Sequence, residues 1–235
     1  MKKNNYQIVI LAGGKGSRLS NLTRSIPKPM VKANNLPIIV HIMKHYYNYG
    51  FKNFIVATGY KSKIIKSFFK TNKFPWKTQV CFTGLNTMTG GRIRRLRNIL
   101  KNKSFFLTYG DGLSNINLDK LLKFHKKKKG VITLTAVRPP ARFGAIEIKN
   151  HKVVMFREKS RLDTGWINGG FFIMEPEIFK YLKNDRTYLE REPLEKLGKK
   201  KKLFAYQHNG FWQCVDTPRD LEILEKILKK KNRAI

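Results

Sequence analysis

The first 110 residues contain no aspartate and no glutamate; the earliest acid is Asp111. This absence argues against a dinucleotide fold of the usual kind, which places an acid about 20 residues beyond its glycine turn to hold a ribose. Cysteine is scarce too. Cys81 and Cys214 lack metal-type spacing and lie in apolar strand-like runs, so both read as reduced core residues. That usage suits the cytoplasm. No apolar run reaches the roughly 18 residues of a membrane helix, so no membrane insertion is expected. The apolar stretch behind the charged N-terminus is too short for a signal peptide. His41 and His45 have no acid or third ligand nearby and read as packing and surface residues rather than a zinc pair. No internal repeat or linker divides the chain.

What the chain has in excess is positive charge. Lys and Arg number 49 against 15 acids, a formal net charge of +34. Such a charge suggests nucleic acid when it gathers on one face. Here the lysines spread over nearly every predicted helix and outnumber arginine more than two to one. The excess therefore reads as compositional bias, and no specific nucleic-acid partner is expected. Lysine runs at 126–129, 199–202 and 229–231 fall at predicted helix C-termini, where the macrodipole favours cations. With 235 residues, 12% aromatic and 41% hydrophobic, the chain suits one α/β domain with a sizeable core.

The most informative stretch is Ile8-Val9-Ile10-Leu11-Ala12-Gly13-Gly14-Lys15-Gly16-Ser17-Arg18, followed by Pro27-Lys28-Pro29-Met30. An apolar strand ends in glycines that let the backbone turn and approach a ligand closely. Successive N–H groups in such a turn form an anion nest. Arg18 and Lys28 add two cations. Strand, glycine turn and fixed positive charge suit a triphosphate. The spacing of a Walker loop is missing, and Leu19 stands where a dinucleotide fingerprint needs Gly or Ala.

Asp111 ends a second apolar run, Phe105-Phe106-Leu107-Thr108-Tyr109-Gly110-Asp111. Ligands in open α/β sheets sit outside the carboxyl ends of strands, so Asp111 falls on the same rim as the glycine turn. A carboxylate beside a triphosphate needs a cation between them, and Mg²⁺ binds through one or two carboxylates plus phosphate oxygens. Taken alone, an Asp-Gly turn would account for Asp111 equally well. Asp216 is the second candidate ligand. It precedes Thr217 as N-cap, Pro218 as first helical residue and Asp220 as capping-box acid.

The pattern predicts strands at 7–12, 53–58, 79–82, 104–109 and 131–137, alternating with helices at 37–49, 60–70, 91–100 and 117–128. That alternation argues for a Rossmann-like, mostly parallel sheet flanked by helices. Beyond 138 the pattern changes to a hairpin at 143–148 and 152–157, a strand at 168–174 and a helix at 190–199. Strands at 202–207 and 211–215 and a helix at 218–230 complete it. The reading is a single domain with a nucleotide-binding half, about 1–137, and a second half, about 138–235, carrying a small β-rich insert for a second ligand. There, Glu158-Lys159 and Asn168-Gly169-Gly170 could meet sugar hydroxyls and a phosphate. A surface ion pair and a bulge explain them as readily.

Together, Leu-Ala-Gly-Gly-Lys-Gly-Ser-Arg-Leu, Pro-Lys-Pro-Met, Tyr-Gly-Asp-Gly, Glu-Lys and Asn-Gly-Gly resemble, in order, the sugar-1-phosphate nucleotidylyltransferases. Thr89-Gly90-Gly91-Arg92, Arg142-Phe143-Gly144, Glu192-Pro193-Leu194 and Phe211-Trp212-Gln213 narrow the resemblance to members that use CTP and glucose 1-phosphate. The likeness covers roughly residues 7–223. It implies the nucleotide-diphospho-sugar transferase fold, Mg²⁺ as cofactor and a homo-oligomer, with a CDP-sugar product that feeds deoxysugar synthesis for surface polysaccharide.

It also implies roles. Arg18 and the turn Gly13, Gly14, Lys15, Gly16 and Ser17 would hold the β- and γ-phosphates. Lys28 would neutralise charge at the α-phosphate, and Asp111, beside Gly110, would hold Mg²⁺ with Asp216. Leu11, Ala12 and Gly13 would border the cytosine, with Thr89 and Arg92 also on the nucleotide. Arg92, at a helix start, would face the ligand on the rim. Glu158, Lys159, Asn168 and Gly170 would hold glucose 1-phosphate. Ser160 stands where the family has Pro, and the 71–88 stretch is shorter than in typical members. Two alternatives compete: a relative using UTP, dTTP or another sugar phosphate, and a non-catalytic RNA-binding relative.

Overall fold

A computed structural model describes residues 3–140, 144–158 and 165–232, without the side chains of Arg18, Ser20, Asn21, Lys231 and Asn232. The first half runs β1 (Gln7–Ala12), α1 (Ser20–Thr23), β2 (Lys32–Ala33), β3 (Leu36–Pro37), α2 (Ile38–Asn48), β4 (Asn53–Thr58), α3 (Ser62–Thr71) and β5 (Lys77–Phe82). It continues with α4 (Thr89–Arg95), α5 (Arg97–Leu100), β6 (Phe105–Tyr109), β7 (Gly112–Ser114), α6 (Leu118–Lys128) and β8 (Ile132–Val137). The second half adds β9 (Ala145–Lys149), β10 (Lys152–Arg157), β11 (Ile167–Met174), α7 (Glu192–Lys199), β12 (Leu203–His208), β13 (Trp212–Cys214) and α8 (Pro218–Asn232).

β1 is central because it can be buried on both faces. Ile8, Ile10 and Ala12 join one core and Val9 and Leu11 the other, following the two-residue period of a strand. Seven strands form the main sheet in the order β12-β8-β11-β6-β1-β4-β5. All pairings are parallel except those of β11, which runs antiparallel between β6 and β8. One core takes apolar residues from α2, α3, α6 and α8, the other from α4, α5 and α7. Tyr46 anchors the first; its ring meets Phe51, Phe54 and Phe106 edge-on, with centroids 5.7 to 6.3 Å away.

The chain leaves β1 for β4 and β5 on one side and returns to β6 on the other. That reversal opens a crevice at the carboxyl ends of β1 and β6, where open sheets bind ligands. Gly13 and Asp111 lie at this rim. The second half contributes β11 and β12, on either side of β8, to the same sheet and a separate hairpin, β9–β10. The hairpin turns through Asn150 and His151, both at positive φ (47° and 63°), as a type I′ connection requires.

Besides the short elements α1, β2 and β3, for which none was expected, two differences lie close to the rim. The helix expected over 91–100 is two short helices interrupted at Leu96 (φ −91°, ψ 5°), whose N–H bonds the Ile93 carbonyl three residues back. This tightened turn buries both Leu96 and Leu100 while Arg94, Arg95 and Arg97 reach solvent or surface partners. β7, for which no strand was expected, pairs antiparallel with β13 in a ribbon of three residue pairs.

Candidate active site

The rim of β1, β6 and β11 and the β7–β13 ribbon enclose a cleft of about 630 Å³. One wall is the glycine turn after β1. Gly13 must lack a side chain, because a Cβ there would lie 2.1 Å from the Arg92 guanidinium carbon. Arg92 is buried beneath the turn. Its Nη1 donates to the Thr58 carbonyl (3.0 Å), Thr83 Oγ1 (2.9 Å) and the Gly84 carbonyl (2.8 Å). Its Nη2 donates to the Gly13 carbonyl at 3.0 Å. Burial, then repulsion from Arg95, lowers its pKa below the ordinary arginine value. Arg92 was expected on the rim facing the ligand; it lines the cleft, but these donors are spent on tying three strand ends together.

Lys28 enters from the opposite side. Pro27 (φ −71°) sets the backbone for the short 3₁₀ turn Lys28–Met30, and the Val31 N–H closes it on the Lys28 carbonyl at 3.1 Å. Lys28 Nζ donates to Asp111 Oδ2 at 2.6 Å and to Asp216 Oδ1 at 2.7 Å. Burial works to lower its pKa, but the charge of Asp111 and the hydrogen bonds to both carboxylates outweigh that. The ammonium is thereby held above the ordinary lysine value.

The β7–β13 ribbon brings the two aspartates together. Its register pairs Gly112 with Cys214, and the Val215 N–H continues the ladder to the Asp111 carbonyl at 2.9 Å. Asp216 is the next residue. Behind it, Asp220 Oδ2 accepts from the N–H groups of Asp216 (3.1 Å) and Thr217 (2.8 Å), while the Asp220 N–H returns to Thr217 Oγ1 (3.2 Å). This is the reciprocal capping box expected from the sequence. It fixes the start of α8 and the backbone that carries Asp216.

One oxygen each from Asp111 and Asp216 and the Cys214 sulfur lie within 4.8 Å of one another and could hold a metal ion. An ammonium already seated between the carboxylates shows that this point favours a cation. Cys214, expected in the core, lines the cleft instead. Burial, and then the charge of Asp111, pushes its thiol well above the usual range. A thiol kept in its neutral form adds no third negative charge there.

The other end of the cleft is uncharged apart from one acid. Asn168 donates from Nδ2 to the Tyr109 hydroxyl at 3.2 Å and accepts the Gly170 N–H at 2.9 Å. Gly170 has φ +77°, and a Cβ would come 2.6 Å from the Tyr109 ring. Trp212 donates from Nε1 to the Gly169 carbonyl at 2.8 Å, closing the ribbon over β11. Glu190 accepts from the Tyr109 hydroxyl at 2.5 Å and from Thr89 Oγ1 at 2.6 Å.

Of the residues expected at the site, Leu11, Ala12, Gly13, Gly14, Gly16, Ser17, Lys28, Thr89, Arg92, Gly110, Asp111, Asn168, Gly170 and Asp216 all line this cleft. Lys15 and Glu158 do not line it; Glu158 sits at the end of β10, its carboxylate against Gly144. The Arg18 side chain and Lys159 lie outside the described residues. Tyr109, Tyr188, Glu190 and Trp212 also line it without having been expected there. Trp212 belongs to a motif quoted above; Glu190 carries no sequence signal.

A sequence-family profile described as "Nucleotidyl transferase" matches residues 7–230. A glucose-1-phosphate cytidylyltransferase of Salmonella typhimurium is 41% identical over 246 aligned positions, covering 94% of this chain and 95% of that protein. A probable glucose-1-phosphate cytidylyltransferase of Bacillus subtilis is 39% identical, covering 93% and 94%. Among solved structures, HddC from Yersinia pseudotuberculosis superposes with a TM-score of 0.74 at 25% identity, covering 95% of this chain and 99% of the other.

Proposed function

The chain belongs to the nucleotidyl transferase family, and on that premise we propose that it is a glucose-1-phosphate cytidylyltransferase. It joins CTP and glucose 1-phosphate to give CDP-glucose and pyrophosphate. The observation that carries the chemistry is the seating of Lys28 between Asp111 and Asp216, beside the glycine turn. Cation, paired carboxylates and anion nest are what in-line attack at an α-phosphorus calls for.

A phosphate oxygen of glucose 1-phosphate attacks the α-phosphorus of CTP, and pyrophosphate leaves opposite. The attacking oxygen is already ionised, so no general base is required. The N–H groups of the glycine turn, with Arg18, hold the β- and γ-phosphates. Lys28 packs against that turn, since a Cβ on Gly16 would lie 2.9 Å from the Lys28 Cβ. Its ammonium offsets charge at the α-phosphate. Asp111 and Asp216 would hold Mg²⁺, which when bound neutralises phosphate charge and orients the oxygens. Leu11, Ala12 and Gly13 border the cytosine and Thr89 the nucleotide, while Arg92 acts by holding the Gly13 carbonyl. Asn168 and Gly170 hold glucose 1-phosphate.

The same reading places the enzyme in the cytoplasm, supplying a CDP-sugar for deoxysugar and surface-polysaccharide synthesis. Its assembly is a homo-oligomer, supported by exposed Ile146, Ile148, Val153 and Phe156 on the β9–β10 hairpin. The test is Mg²⁺-dependent pyrophosphate release with glucose 1-phosphate and each nucleoside triphosphate in turn. CTP is expected to support the highest rate. A higher rate with UTP or dTTP would keep the mechanism and change the product. No release from folded protein with any nucleotide or sugar phosphate would overturn the reading.

A further inference from the structure

We propose that Glu190 is the receptor for a vicinal pair of substrate hydroxyls and thereby sets substrate choice in the cleft, an inference that rests on the nucleotidyl-transfer reading of the same site. Glu190 is exposed on the cleft wall just before α7. Its two oxygens each take one hydroxyl donor, Tyr109 on Oε1 and Thr89 on Oε2. Thr89 Oγ1 in turn accepts the Leu189 N–H at 2.9 Å, which pins the backbone next to Glu190. Asn168 donates to Tyr109 from the other side at 3.2 Å. Burial, then the charge of Glu190, raises the Tyr109 pKa far above the ordinary phenol value, so Tyr109 keeps the proton it donates.

Every donor in this chain points toward the carboxylate, and an ionised carboxylate offers about four acceptor sites. Two are filled. The remainder, open to solvent on the exposed cleft wall, can be taken over from water by a ligand that brings hydrogen-bond donors. Phosphate, mostly doubly ionised at neutral pH, brings few donors and carries the same charge sign, so the phosphates belong at the Lys28 end of the cleft. What lies against Glu190 is a neutral, donor-rich part of the substrate. Two acceptor oxygens on one carboxylate match two adjacent hydroxyls better than a single amino group. Ribose and hexose both supply such a pair, and Glu190 stands between Thr89, on the nucleotide side, and Asn168, on the sugar side.

The test is calorimetric binding to the full chain of CTP, 2′-deoxy-CTP, 3′-deoxy-CTP, UTP, glucose 1-phosphate and 2-deoxyglucose 1-phosphate. Wild type, Glu190→Gln and Glu190→Ala are compared, with thermal denaturation to verify folding. Wild type should prefer the full hydroxyl complement by about tenfold or more, as a charge-assisted hydrogen bond predicts. In both variants that preference should collapse, while affinity for the matching deoxy ligand stays within about twofold of wild type. Collapse for the nucleotides assigns the pair to ribose, and collapse for glucose 1-phosphate assigns it to the hexose; either supports the proposal. An equal loss for every ligand, or no loss, would reduce Glu190 to a tie between Tyr109 and Thr89 and overturn it. A change confined to CTP against UTP would place a base at Glu190 and also overturn it. Failure of wild type to bind any of these ligands would show instead that the underlying reading of the cleft is wrong.

Discussion

The Val215 N–H donates to the Asp111 carbonyl at 2.9 Å, and this bond extends the β7–β13 ribbon to the edge of the two aspartates. Through it the carboxylates of Asp111 and Asp216 meet at one ammonium, Lys28. Asp111→Asn or Asp216→Asn keeps the shape and removes one charge. Either substitution should lower turnover by about 10²-fold or more, with circular dichroism unchanged. Lys28→Ala should also cost turnover. It leaves two carboxylates facing each other, so added Mg²⁺ should raise its melting temperature more than that of wild type. An equal thermal shift would separate Lys28 from the cation site.

Arg92 binds four acceptors on the ends of β1, β4 and β5 and the segments that follow them. Arg92→Ala leaves Thr58, Gly84 and Gly13 carbonyls without this donor and removes the support beneath the glycine turn. Chemical denaturation should show a loss of about 2–4 kcal/mol. Nucleotide affinity should fall with it, and affinity for glucose 1-phosphate alone should fall less. A stability loss with normal nucleotide binding would confine Arg92 to the scaffold.

Gly170 combines a positive φ with contact against the Tyr109 ring. Gly170→Ala should cost about 1–3 kcal/mol through backbone strain alone. It should also displace Tyr109, raising the KM for glucose 1-phosphate. Steady-state kinetics beside a denaturation curve separates the two effects.

Away from the cleft, Glu175 accepts from Ser104 Oγ (2.8 Å) and lies 3.0 Å from the Nε2 of buried His125. The His125 hydrogen bond, opposed by burial and reinforced by Ser104, lowers the Glu175 pKa below 4.5. A depressed acid stabilises the fold above its ordinary pKa, and that contribution fades as pH falls through its folded value. Glu175→Ala should therefore be less stable than wild type by about 1–2 kcal/mol at pH 7. The gap should narrow only below about pH 4.5, where the unfolded carboxylate takes up its proton. A gap independent of pH would show that the charge of Glu175 contributes nothing.

Much of this fold was legible because its signals are local. The apolar runs at 7–12 and 105–109 and the glycines after the first are strand-and-turn patterns, and they mark the rim where Gly13 and Asp111 stand. Thr217 and Asp220 announce the start of α8 for the same reason. The ribbon was not legible in full, because the three residues Gly112–Ser114 are too few to show a period. The place of Arg92 in the cleft lining was legible but its burial was not, because arginines are rarely buried and nothing local shows that three strand ends will present carbonyls to it. Glu190 is a lone acid in a loop whose meaning depends on Tyr109 and Thr89, far away in the chain.

The most direct measurement is mass spectrometry of the product formed from CTP and glucose 1-phosphate, with Mg²⁺ present and then chelated. CDP-glucose is expected in step with pyrophosphate, lost on chelation and nearly absent in Asp111→Asn. Folded wild-type protein that yields no CDP-glucose, while making another nucleotide sugar or none, would contradict the proposed function.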